Sequence, residues 1–79
     1  MFLENHTLYL KPECPYCVKV MRWAQQHDIS FATANTHDAE NACKLIEIGG
    51  KRQVPCMIIG GKALYESNDI IAYLEGLLR

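Results

Sequence analysis

Cys14-Pro15-Tyr16-Cys17, set between an apolar run and an amphipathic segment, is the feature that most narrows how this chain folds. Thr7–Leu10 reads as a short strand that Lys11-Pro12 stops. From Pro15 to about His27, the residues Cys17, Val20, Met21 and Ala24 recur at three- and four-residue spacing, the mark of a helix with one buried face. With Cys14 at the N-cap, Pro15 takes the first helical position, where its missing N–H costs nothing. The Cys14 sulfur then faces the unpaired N–H groups of Tyr16 and Cys17 at the positive end of the helix dipole. Both influences favour thiolate, the nucleophile of disulfide exchange, and Lys11 adds a positive charge upstream. Cys17 lies one turn inward, in reach of a mixed disulfide formed on Cys14.

The remaining segments supply the rest of an α/β fold. Ile29–Ala34 alternates Ile29, Phe31 and Thr33 with small partners, as a strand does. Ala39 to about Ile48 fits a second helix, with Asp38 as N-cap, Gly49-Gly50 as stop, and Ala39, Ala42, Cys43 and Ile46 as its buried stripe. Cys56–Ile59 and Lys62–Tyr65 read as two strands of a hairpin turned through Gly60-Gly61. Ser67 caps a last helix to Leu78, with Ile70, Ile71, Leu74 and Leu77 inward. The order β-α-β-α-β-β-α makes the first two strands parallel and the final hairpin antiparallel. The expectation is a single domain over residues 1–79, with a four-stranded mixed sheet flanked by three helices on both faces.

Four cysteines in so short a chain could be disulfide staples, metal ligands or redox groups. Met1–Leu10 carries Glu4 and lacks the basic and apolar regions of a signal peptide, and no run approaches the roughly 20 apolar residues of a membrane span. A cytoplasmic location is therefore expected. Structural disulfides are rare there, and a closely spaced pair more often does chemistry. Cys43 and Cys56 form no second Cys-x-x-Cys, and none of His6, His27 or His37 has ligand spacing to the pair. Both cysteines read as packed thiols, and no metal is expected. Eight basic and nine acidic residues give a net charge of −1, so neither nucleic acid nor an anionic membrane is expected as a partner.

The strand, Lys11-Pro12-x-Cys14-Pro15-Tyr16-Cys17 and the helix resemble the active-site segment of dithiol glutaredoxins, which have the thioredoxin fold. Lys51-Arg52-Gln53-Val54-Pro55, followed by an apolar strand and Gly60-Gly61-Lys62, is similar to that family's cis-proline segment. Ser67-Asn68-Asp69-Ile70 is similar to its glutathione-binding turn. The three blocks stand in the family's order and span nearly the whole chain.

The resemblance implies a glutathione-dependent thiol–disulfide oxidoreductase, with Cys14 as nucleophile and Cys17 as resolving thiol. It implies that glutathione lies across the site as co-substrate, with its sulfur at Cys14. Lys11 and Gln53 would serve the glycyl carboxylate. Ser67 and Asn68 would take the γ-glutamyl carboxylate at a helix N-terminus. Val54 would pair with the tripeptide as a short strand beside Pro55, and Tyr16 would flank the sulfur. Implied partners are disulfide-bearing or glutathionylated proteins, with glutathione reductase supplying reduced glutathione and the chain acting as a monomer.

Two positions depart from the glutaredoxin pattern. Gln53 stands where threonine is usual, and Tyr65-Glu66 where two glycines are usual. Gln53-Val54-Pro55 and the run from Glu66 to Leu74 resemble the N-terminal domain of glutathione S-transferases, in which the Glu-Ser pair holds the γ-glutamyl group. That adds Glu66 to the binding residues. Conjugation would need a helical second domain, which these 79 residues do not contain, so redox chemistry is the expectation. A third reading, an iron–sulfur cluster shared between two subunits through Cys14 and glutathione, conflicts with Pro15 and Cys17.

Overall fold

The first strand, β1, spans Phe2–Leu10 in the computed structural model, which describes residues 1–79. It therefore starts well before Thr7, the start expected from its apolar run. Glu4, Asn5 and His6 mask the strand in sequence, and its pairing with β2 (Ser30–Asn35) slips register between Phe2 and Thr7. Asn5 sits in that irregularity at φ 62°, and its carbonyl accepts the Gly60 N–H at 3.0 Å. A bulged strand loses the strict alternation that reveals a regular one.

Helix α1 (Pro15–Gln26) connects the parallel strands β1 and β2, and α2 (Ala39–Gly49) leads on to β3 (Cys56–Ile59). β3 pairs antiparallel with β1 on one side and with β4 (Lys62–Tyr65) on the other, giving the order β2-β1-β3-β4. The β3–β4 turn falls on Gly60 and Gly61, both at positive φ (55° and 89°), a geometry that side chains other than glycine resist. Helix α3 (Ser67–Leu77) closes the chain. This is the expected four-stranded mixed sheet with three helices.

Side chains alternate across the central strands, so neighbours feed opposite cores. Leu8 and Met57 join Val20 and Ala24 of α1 and Ile70 and Leu74 of α3 in the larger cluster. Tyr9, Cys56 and Ile58 meet Leu45 of α2 on the other face. The site-bearing loops thus rise from a sheet clamped on both sides.

Helix phase differs from expectation in places. In α2, Ala42 and Leu45 are buried, whereas Cys43, Ile46 and Ala39 are exposed. Asp38 accepts the Glu40 N–H, and Asn41 Nδ2 donates to the Asn35 carbonyl at 3.0 Å, so polar ties at its start fix the rotation of α2. In α1, Cys17, Val20 and Ala24 form the buried row, and Met21 borders solvent. In α3, Leu77 lies in the final turn outside the core, and in β2 Thr33 is exposed while Phe31 is buried. Ser67 is not the cap of α3: it is the first helical residue, buried, and Glu66 holds the N-cap position without a side-chain cap bond.

Candidate active site

Cys14 is the N-cap of α1 and Pro15 follows at the first position, as the motif requires. Cys14 is partly exposed and Cys17, one turn on, is buried. Burial works against the Cys14 thiolate, but the Cys17 N–H, the Cys17 thiol and the Tyr16 N–H outweigh it and draw the thiol below its ordinary value. Glu13, immediately before it, opposes this with its negative charge. Cys17 goes the other way. Burial pushes it up to about 11, reinforced by its hydrogen bond to Cys14 and the Cys14 charge. The segment therefore holds one acidic, accessible thiol beside one sheltered, protonated thiol.

An open groove of about 420 Å³ is lined by Tyr16 of the Cys14–Cys17 segment together with Gln53, Val54, Pro55, Glu66, Ser67 and Asn68. All seven are residues the sequence nominated. The Val54–Pro55 peptide is cis, and Pro55 is buried at the foot of β3. Gln53 Nε2 donates to Glu66 Oε1 at 2.8 Å, which ties the loop before Pro55 to the start of α3. Glu66 holds this place at φ 73° and ψ 124°, a conformation that costs a residue with a Cβ of the order of 1–3 kcal/mol. Such strain persists where surrounding contacts fix it, here in the groove wall. Beyond Glu66, the first N–H groups of α3 have no intrahelical acceptor and present positive dipole to the groove.

Cys14 and Cys17 do not line this wall, and among the nominated binding residues Lys11 does not join it either. It is exposed and lines a separate small hollow with Thr36, Ala42, Leu45 and Arg52. Nor is it among the charges that set the Cys14 thiol; its field reaches Glu13 instead.

Three contacts at the site escaped sequence reasoning. Lys19 Nζ donates to Asn68 Oδ1 at 2.6 Å, linking α1 to the start of α3. His37 Nε2 meets Glu13 Oε1 at 2.7 Å, joining the turn before α2 to the residue before Cys14. Tyr65 O–H donates to the Lys51 carbonyl at 3.1 Å beside the buried Cys56 thiol, which burial raises above its ordinary value. Each joins residues 14 or more positions apart, so no local spacing announces it.

Fold and groove together define a thioredoxin-fold protein with a dithiol at a helix start. The chain belongs to the family described as glutathione S-transferase, N-terminal domain, whose model matches residues 8–78. Among solved structures it resembles glutathione transferase Omega 3C from Trametes versicolor, with 22% identity and a TM-score of 0.83 over 96% of this chain and 34% of that one. It also resembles wheat glutaredoxin, with 30% identity and a TM-score of 0.70 over 91% of this chain and 72% of that one. A hybrid peroxiredoxin, hyPrx5 from Haemophilus influenzae, is 31% identical over 71 residues. The match takes in 89% of this chain, which spans less than a third of that relative's length (29%).

Proposed function

We propose that the protein is a glutathione-dependent thiol–disulfide oxidoreductase acting on protein–glutathione mixed disulfides and protein disulfides. The observation that carries this reading is the placement of a partly exposed Cys14 at the start of α1, one turn before a buried Cys17, with Tyr16 of the same segment lining a groove bounded by Glu66 and the start of α3. Glutathione has a carboxylate at each end and an ammonium at its γ-glutamyl end. The free N–H groups of Ser67 and Asn68 suit the γ-glutamyl carboxylate, and the Glu66 carboxylate suits the neighbouring ammonium. Val54 offers extended backbone for strand-like pairing, and Gln53 a side-chain amide.

The Cys14 thiolate attacks the glutathione sulfur of a mixed disulfide; the S–S bond breaks, and the protein sulfur leaves as thiolate and takes a proton from water. A second glutathione thiolate attacks the adduct, releasing glutathione disulfide and restoring the Cys14 thiolate. With a protein disulfide, Cys14 attacks one sulfur and the other leaves as thiolate. Cys17 then attacks Cys14, releasing the second protein thiolate and forming a Cys14–Cys17 disulfide. Two glutathione molecules reduce that disulfide to the dithiol as they become glutathione disulfide. The charge on Cys14 helps to hold Cys17 protonated. Once Cys14 is bonded to a substrate sulfur, that repulsion is gone and Cys17 ionises more readily. A reducing compartment such as the cytoplasm, with glutathione reductase recycling the product, suits this cycle.

Likeness to a glutaredoxin and to a hybrid peroxiredoxin supports thiol redox chemistry. The family match supports a second reading, a glutathione-holding module of the transferase kind. Turnover of a glutathionylated peptide coupled to glutathione reductase separates the two. The redox reading predicts turnover that Cys14→Ser abolishes; full activity of Cys14→Ser contradicts it.

A further inference from the structure

Besides the groove, the surface has a hollow of about 520 Å³ between α1 and α3, which the redox cycle above does not use. Pro15, Lys19, Arg22 and Trp23 line it from α1, and Ile71 from α3. The hollow and the groove adjoin at two places. Pro15 belongs to the hollow and Tyr16, the next residue, to the groove; Lys19 of the hollow bonds Asn68 of the groove at 2.6 Å. Cys14 is partly exposed and precedes Pro15, so a disulfide formed on it starts within two residues of both. The wall of the hollow is apolar and fixed: Trp23 and Ile71 pack against the larger core cluster, and the indole stacks on the His27 ring at 4.0 Å. Its rim is cationic, because Lys19 and Arg22 are exposed and no acidic residue lines the hollow. The ion pairs of the chain, Glu13–His37, Glu40–Lys44 and Glu75–Arg79, involve neither cation.

We infer that this hollow docks the protein half of a glutathionylated substrate and selects an acidic residue near the substrate cysteine, with an apolar one beside it. The inference rests on the reading of Cys14 as the thiolate that attacks a glutathione mixed disulfide. Such a substrate has two halves joined by one S–S bond. With glutathione in the groove, the peptide half needs a second surface, and the adjoining hollow has the chemistry for it. Charge decides the kind of partner. Two cations with no carboxylate of their own attract an acidic side chain, and the planar Arg22 guanidinium matches a carboxylate with paired N–H groups. The net charge of the chain is only −1, so this attraction is local to the hollow. A basic segment would meet like charge there and be rejected. Trp23 and Ile71 offer the neighbouring side chain an apolar face. Reach fixes the spacing. From Pro15 to Arg22 the helix rises about 10 Å. An extended peptide covers that in about three residues, so the preferred acidic residue stands about three positions from the substrate cysteine.

The test compares two glutathionylated peptides in turnover by the full chain, coupled to glutathione reductase. Both carry leucine on each side of a central cysteine; one has glutamate three positions away on both sides, the other glutamine. kcat/KM should be about fivefold higher for the glutamate peptide, with the difference in KM. Arg22→Gln should cut that preference to below about twofold. It should leave turnover of cysteine–glutathione disulfide unchanged, because that substrate has no residue that reaches Arg22. Equal kcat/KM for the two peptides in the parent, or an undiminished preference in Arg22→Gln, overturns the inference. Trp23 is the only tryptophan, so its emission reports occupancy of the hollow without any turnover. The glutamate peptide with serine for cysteine should change that emission saturably, about fivefold more tightly than its glutamine counterpart. No saturable change overturns the inference, as does a change that follows protein concentration without peptide and so marks a second copy in the hollow. A saturable, glutamate-dependent response without turnover contradicts the proposed function and upholds the docking site; turnover without peptide preference does the reverse.

Discussion

Gln53 and Glu66, thirteen residues apart, meet through a 2.8 Å hydrogen bond that closes the groove between the loop before Pro55 and the first turn of α3. The bond gives the groove a wall with a fixed carboxylate, and it explains why a residue other than glycine occupies the φ 73° position. At that place a glycine would relieve strain but supply no carboxylate for an ammonium ion.

Glu66→Ala and Glu66→Gly should both lower affinity for glutathione by about tenfold, the cost of one charge-assisted hydrogen bond. Isothermal titration calorimetry measures that. Urea unfolding should separate the two variants, because alanine keeps the backbone penalty and glycine removes it. Glu66→Gly should be the more stable by about 1 kcal/mol. Equal stabilities would mean that the strained backbone carries no cost.

Thiol acidity gives a pH signature. Cys17 is raised from 9.0 to about 11, so the folded state holds its proton more tightly than the unfolded chain does. Its contribution to stability is complete below pH 9 and is lost as pH rises through about 11. Cys56 and Tyr65 are also raised and act with the same sign, whereas Cys14, lowered, contributes above its unfolded value and loses that as pH falls through its folded one. Urea midpoints of the reduced protein between pH 8.5 and 11 should therefore fall, and Cys17→Ala should flatten but not abolish the slope. An unchanged slope in Cys17→Ala would refute the sheltered-thiol assignment.

Gly49 ends α2 against Tyr65, and a Cβ there would overlap the phenol oxygen and lie 3.2 Å from the Ala63 Cβ. Gly49→Ala should destabilise the fold by about 1–3 kcal/mol. Tyr65→Phe should cost about 1 kcal/mol for the bond to the Lys51 carbonyl. It also removes the oxygen that the new methyl strikes, so the double variant should be less destabilised than the sum of the two. Simple additivity in denaturant unfolding would show that the contact is absent.

Lys19 holds the side chain of Asn68 at 2.6 Å, in an exposed position. Lys19→Met should leave stability within about 1 kcal/mol of the parent, as surface contacts of this kind do. It should weaken glutathione binding severalfold by freeing Asn68 to rotate. Unaltered affinity would remove Lys19 from the site.

Much of this was legible from the residues alone, because local rules governed those parts. Pro15 fixed the start of α1, Gly60-Gly61 fixed the hairpin, and seven nominated residues met in one groove. What escaped depended on tertiary placement. The rotation of α2 follows from Asn41 reaching Asn35, so Cys43 turned outward although its spacing allowed burial. Ser67 failed as a cap because the backbone before α3 turns at positive φ, which Glu66 gives no sign of in sequence. Lys11 lines the hollow with Arg52 and not the groove, a matter of tertiary placement that no local pattern shows.

The cysteine to which glutathione becomes bonded tests the proposed mechanism most directly. Cys17→Ser, incubated with a glutathionylated peptide and mapped by mass spectrometry after proteolysis, should carry glutathione on Cys14 alone, with the peptide thiol released in equal amount. Cys43 is exposed as well, so the comparison lies within one molecule. Glutathione on Cys43 with Cys14 unmodified would contradict the proposed function.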